Sequence, residues 1–159
     1  MMNMKKVIKT FVMAAAITMA MSLVSCGDNE EPDPVVVPST IESVYKEATD
    51  VHYVFKTQAD AGTGTIEIYN VQFTIGDRKS PPLNISIEAP ITIKNGVVTY
   101  EGTNIIPSLM MQGVNVPAPD YVVTNLKAVV DATKAMTYEI SFDCHGGSFH
   151  DTGNLKNAN

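Results

Sequence analysis

Few side chains in this chain could do chemistry. Cys144 is one of two cysteines, and His52, His145 and His150 are all the histidines. Asp143 and Asp151 sit with the last two histidines, so residues 143–151 gather two carboxylates, two imidazoles and a thiol. A metal centre needs three or four such ligands converging. A loop through Gly146-Gly147 would bring His145 and His150 together, but their spacing matches no zinc-ligand pattern, and a solvated turn is the expectation. Glu139 and Asp143 fall on the polar face of one strand, whereas a glycosidase needs two carboxyl groups across a cleft. There is no Ser-His-Asp order with a nucleophile elbow, no Walker loop and no dinucleotide fingerprint. Gly62-Thr63-Gly64 reads only as a turn. No catalytic residue, metal or cofactor is expected, and the chain does not read as an enzyme.

Two further features bear on binding. Alternation puts Cys144 on the apolar face with Ile140 and Phe142, where a thiol behaves as a small, inert hydrophobe; a reactive thiol is the alternative. Leu109-Met110-Met111 sits in a proline-flanked stretch. An exposed apolar loop there would be a lid or contact surface, since Met adapts to varied partners. Otherwise these residues plug an open barrel end. Met110, Met111 and Tyr121, with the Gly146 turn, would rim that end.

The elements that position these residues begin after a leader. Lys5, Lys6 and Lys9 precede an apolar run to Leu23, and charge is absent from Thr10 to Cys26. This is a basic region followed by a hydrophobic one, as in a secretory signal. No multi-span membrane protein fits this pattern. Leu23-Val24-Ser25-Cys26-Gly27 resembles a bacterial lipobox, which implies cleavage after residue 25 and diacylation of Cys26. A single transmembrane anchor is the alternative, but the run is short for a span. One acyl chain holds only marginally, at about 0.8 kcal/mol per buried CH₂, so two or three chains would anchor firmly.

Residues 26–38 read as a tether. Gly27 to Pro38 holds four acids and three prolines and has too little apolar content to fold. At about 3.1 Å per residue it would hold the domain roughly 35 Å from a membrane. Acids directly after the cysteine resemble the surface-export signal of Bacteroidetes lipoproteins, which implies the outer face of the outer membrane. A periplasmic lipoprotein with a plain spacer is the alternative. The chain has 11 basic and 17 acidic residues, net −6. Cleavage removes three lysines and no acid, taking 159 residues to 134 and net charge from −6 to −9. Such a surface repels nucleic acid phosphates and anionic headgroups, so nucleic acid is not expected as a partner.

Residues 39–159 form one domain. Ser39-Thr40-Ile41-Glu42 has capping-box spacing, which predicts a short helix over Thr40–Ala48. Beyond Asp50 the period is two. Val51, Tyr53 and Phe55 alternate with His52 and Lys56. In Thr65–Phe73 the apolar phase slips, and a bulge near Tyr69 would reconcile the two halves. Asp77–Pro82 reads as a turn. Leu83 to Ile93 alternates cleanly, and Asn95-Gly96 suits a type I′ hairpin that places Ile93 opposite Val98 and Ile91 opposite Tyr100. Pro90 cannot donate to a ladder, so a kink or edge belongs there. Pro107–Asp120 reads as a loop. Tyr121–Asp131 reads as a strand with Val122, Leu126, Ala128 and Val130 inward. Met136 to Cys144 is another, broken at Gly146-Gly147, with a short last strand in Ser148–Leu155. Six to eight strands with alternating faces imply an antiparallel sandwich or barrel.

The block Gly64–Phe73, the Leu83–Gly102 hairpin with Asn104-Ile105-Ile106-Pro107, and Tyr121–Cys144-His145-Gly146 resemble the small calycin-like, or lipocalin-like, lipoproteins of Bacteroidetes. The likeness covers Gly64–Leu155 and the signal. It implies an all-β, antiparallel up-and-down barrel or half-barrel of about eight strands, and it carries no functional residue. Lipocalins have a Gly-x-Trp motif on the first strand and this chain has no Trp, so its Ile, Val, Leu, Tyr and Phe could simply fill the barrel. Two functions are therefore expected. One is a non-catalytic module binding a small apolar molecule or peptide at Met110, Met111 and Tyr121. The other is an accessory lipoprotein with a packed core, joined by an edge strand to a larger outer-membrane complex. On the first, Met110→Ser with Met111→Ser should weaken binding and leave the thermal melt unchanged. Loss of folding would show that these residues are core.

Overall fold

Strict two-residue alternation obliges each strand to bury one face, and the strands of this chain bury theirs against each other. The computed structural model describes residues 36–133 and 135–156. Cys26, the leader and most of the tether lie outside the described residues.

Among the described residues, twelve strands follow in chain order. They are β1 (Thr40–Glu42), β2 (His52–Gln58), β3 (Thr63–Val71), β4 (Thr74–Ile75), β5 (Arg78–Lys79), β6 (Leu83–Lys94), β7 (Val97–Gly102), β8 (Ser108–Met111), β9 (Val114–Pro117), β10 (Val123–Asp131), β11 (Thr137–Cys144) and β12 (Gly147–Asn154). The main path is β1-β2-β3-β6-β7-β10-β11-β12, every pair antiparallel. It is an up-and-down meander of eight strands curled into a half-barrel. β4–β5 and β8–β9 are hairpins off this path, and β8 also pairs with β6.

Turn chemistry sets much of the register. Asn95-Gly96, Gln112-Gly113 and His145-Gly146 each place two successive residues at positive φ, as a type I′ turn demands. The first gives Ile93↔Val98 and Ile91↔Tyr100, the expected pairs. The bulge expected near Tyr69 is present, with register shifting between Ile68 and Val71 and Asn70 at φ 60°. The Asn70 amide secures it by donating to Ala48 O at 2.7 Å and Asp50 O at 3.0 Å. The extra residue turns Val71 and Phe73 inward with Ile66 and Ile68.

Three expectations are corrected. Thr40–Ala48 is not a helix. Its start is β1, because Ile41 buries against the core and pairs with Phe55; tertiary pairing outweighs local capping. Pro107–Asp120 is not a bare loop but contains β8–β9. Val122 does not point inward. β10 starts at Val123, which is fully buried, and a register shift before Asn125 moves the phase by one.

The inward faces are filled by rings. Tyr53, Phe55, Tyr100 and Tyr138 form a chain with centroids 5.1–6.0 Å apart. Aromatic pairs at such separations add about 0.5–1.5 kcal/mol beyond the area they bury. Backbone glycines make room for two of them. A Cβ on Gly64 would lie 2.6 Å from the Tyr100 ring and 2.7 Å from the Lys56 carbonyl, and one on Gly153 would lie 2.7 Å from Tyr138.

The two edges of the sheet meet at one place. Ser43 bridges Leu155, with Val44 N–H donating to Asn154 O at 2.8 Å and Lys156 N–H to Glu42 O at 2.7 Å. Outside this seam, His52 stacks between Tyr45 and Tyr69 at 4.2 and 4.6 Å, and Lys156 lies over Tyr45 while pairing with Glu42.

Gly64→Ala should cost about 1–3 kcal/mol, the range for overpacking, because backbone as well as ring must move. Urea unfolding of the variant against the parent measures it.

Candidate functional site

The rim proposed from sequence does not assemble. Met110 and Met111 are consecutive strand residues, so they point to opposite faces. Met110 is half-buried and Met111 is 58% exposed. Tyr121 ends a short 3-10 turn, Pro119–Tyr121. Its ring packs on Phe73 at 5.5 Å and stacks on His145 at 5.0 Å. Phe73 in turn meets Phe149, which stacks on Phe142 at 4.8 Å. This end of the half-barrel is thus plugged by aromatic rings, with Tyr121 as part of the plug.

Cys144 lies against the same plug. Its thiol donates to Tyr121 O at 3.1 Å, and burial pushes its pKa up to about 11. A thiol held protonated is a poor nucleophile, and its hydrogen bond pins the Tyr121 turn.

The acid and histidine group of residues 143–151 is divided by the sheet. Asp143 faces outward and accepts from Ser148 at 2.6 Å and Asn125 at 3.0 Å; these bonds, Ser148's first, lower its pKa. His145 is committed to Tyr121, and His150 is exposed on the outer face. Asp151 faces inward. Among the described residues no three His, Cys, Asp or Glu side chains are grouped to hold a metal.

Asp151 belongs instead with the inward tyrosines, a feature the sequence reading missed. Tyr138 Oη donates to its carboxylate at 3.3 Å, and its own other oxygen accepts from Thr152 N–H at 2.8 Å. Burial first, then the Asp151 charge, pushes Tyr138 up to about 12 and Tyr53 higher still. Cross-strand alternation could have found this pair, since Tyr138 opposite Gly153 leaves Asp151 on the same face. A shallow cleft of about 290 Å³ opens beside it, walled by Tyr53, Val71, Phe149 and His150.

A larger cleft, about 540 Å³, lies where the chain enters the domain. Val36, Pro38, Ile41, Ala132 and Met136 give it apolar walls, and the Glu42–Lys156 ion pair sits at its side. It is open to solvent and could take an apolar group with one polar end.

Stability should fall in alkali. The folded-state pKa values of Cys144 and Tyr138 are raised from 9.0 and 10.0. Their contribution is therefore full below about pH 9 and lost as pH rises through 11 to 12. Urea melts from pH 8 to 12 should show the decline. Iodoacetamide at pH 8 should leave Cys144 unmodified in the folded chain and modify it fully in guanidinium, as read by peptide mapping.

Comparison with known proteins finds no matching family model, no matching curated protein and no matching solved structure.

Proposed function

We propose that this is a non-catalytic lipoprotein module that acts through its surface, carried by lipid on Cys26 and held at the outer membrane, facing the cell exterior. The observation that carries the reading is the filled interior. Phe55 and Tyr100 are fully buried within the aromatic chain, and Phe73, Tyr121 and Phe149 plug one end. A barrel built to enclose a ligand leaves a cavity of some hundreds of Å³; here rings occupy that space. The nucleophile candidate is buried and protonated, and the acids are tied to hydroxyl and amide donors, which supports a module without catalysis. An accessory role beside a larger outer-membrane complex fits this chemistry.

A second reading rests on the 540 Å³ cleft. There a small apolar molecule or peptide would lie against Ile41, Ala132 and Met136 with its polar end on Glu42 or Lys156. Native mass spectrometry of Gly27–Asn159, which keeps the Val36 and Pro38 walls and is purified without denaturant, separates the two. A bare mass is expected. A retained mass of some hundreds of daltons, lost from Met136→Glu, would replace the first reading with the second.

A further inference from the structure

The segment Gly102–Pro119 contains no charged residue, although Glu101 and Asp120 bound it and the chain carries net −6. Within it lies the β8–β9 hairpin. Met111 is opposite Val114 and Leu109 opposite Val116, so these four apolar side chains share one face. Leu109 reaches the core, but Met111, Val114 and Val116 are 58, 61 and 45% exposed. β9 pairs only with β8 among the described residues, so its other edge is open.

The direction of the backbone groups follows from the turn. In a two-residue hairpin the flanking residues, Met111 and Val114, exchange hydrogen bonds. Alternation then aims the N–H and C=O of Val114 and Val116 at β8 and those of Asn115 away from it. Pro117 falls at an outward position, so its missing N–H costs the hairpin nothing.

Open edges are normally guarded by shortness, by charge or proline, by bulges or by covering. The β12 edge of the main sheet is guarded. β12 points Asp151 inward, and its last residues are covered by the bridge to Ser43. β9 carries no charge and, among the described residues, no bulge or cover; it is short and ends in Pro117, which confines outward pairing to the N–H and C=O of Asn115. It is also self-complementary. If two β9 strands pair antiparallel about Asn115, each Asn115 exchanges two backbone bonds with Asn115 of the second copy. Val114 then faces Val116 of the second copy, and the reverse. Apolar meets apolar on one face and amide meets amide on the other. Two copies at net −6 repel elsewhere, and this uncharged strip is where they can touch at least electrostatic cost.

We propose that β9 is a self-association edge, through which two copies of this chain join their sheets antiparallel about Asn115. A four-residue edge buries well under the roughly 1,200 Å² of a stable complex, so the dimer is weak and reversible and forms where the chain is concentrated. The proposal goes beyond the surface-module reading and does not require it, since self-pairing is independent of any ligand or membrane complex.

Cross-linking of the full chain bearing Cys26→Ser, which leaves buried Cys144 as the parent's single thiol, tests it. Residues opposite each other in such a pair have Cα atoms about 5.5 Å apart, within the roughly 4.4–6.8 Å a disulfide spans. Under mild oxidation Asn115→Cys should give a dimer on a non-reducing gel. Thr152→Cys, exposed on β12, and the parent chain should give only background. Adding Val116→Lys to Asn115→Cys should reduce the dimer several-fold, because it sets an ammonium against Val114 of the other copy. A dimer yield from Asn115→Cys no higher than from Thr152→Cys overturns the proposal, as does a yield that Val116→Lys leaves unchanged. If Val116→Lys lowers the melting temperature, sedimentation equilibrium of the parent chain decides instead. A mass rising with concentration supports pairing, and a monomer mass throughout overturns it.

Discussion

A strongly curved sheet of eight strands encloses a volume that must be filled, and four aromatic rings fill it here. Tyr53, Phe55, Tyr100 and Tyr138 touch in sequence from β2 across to β11. Other choices answer to them. Gly64 and Gly153 lie under Tyr100 and Tyr138 because a methyl group there would collide with the rings. Tyr100 Oη donates to Lys56 O at 3.3 Å, and Tyr138 Oη to Asp151, so the phenols do not leave a polar atom stranded in the core. Curvature, strand spacing and the inward carboxylate are thus parts of one packing solution.

That solution directs where function can lie. With rings inside and a plug of Phe73, Tyr121 and Phe149 at one end, recognition falls to edges and open clefts. The chain enters beside β1, at the end that carries the Ala59–Gly62 and Asn95-Gly96 turns. The Gln112-Gly113 tip of β8–β9 and the His145-Gly146 turn lie at the other end. A support reaching the domain through its first residues would therefore present the uncharged hairpin outward.

How legible this was in the sequence depended on how loudly each turn spoke. Asn95-Gly96 flanked by alternating apolar residues fixed its hairpin, register included. Gln112-Gly113 makes the same turn. However, Gln rarely adopts positive φ and three prolines surround the segment, so β8–β9 read as a loop. Read as a loop, Met110 and Met111 form one surface, whereas a strand sends them to opposite faces. β1 was hidden for another reason. Local capping spacing favours a helix at Thr40, and only pairing with β2, which no local signal encodes, makes it a strand. Val122 departs from the simple alternation because a bulge shifts phase without leaving a residue type to mark it. The acid and histidine group looked like a site because it was close in sequence, and alternation distributed it over two faces and a turn.

The main meander otherwise joins strands near in sequence, with β3–β6 and β7–β10 parted by the β4–β5 and β8–β9 hairpins. The seam is the exception. Lys156 and Glu42 are 114 residues apart in the chain, and Ser43 and Leu155 nearly as far. Closing a loop of that length costs roughly 4 kcal/mol in chain entropy, and little repays it until the rest of the sheet has curved enough to bring its edges together. The seam should therefore be the last contact made in folding and the first to open. The ordering of the half-barrel would run from its central hairpins outward, with its first and last strands joining late in the process.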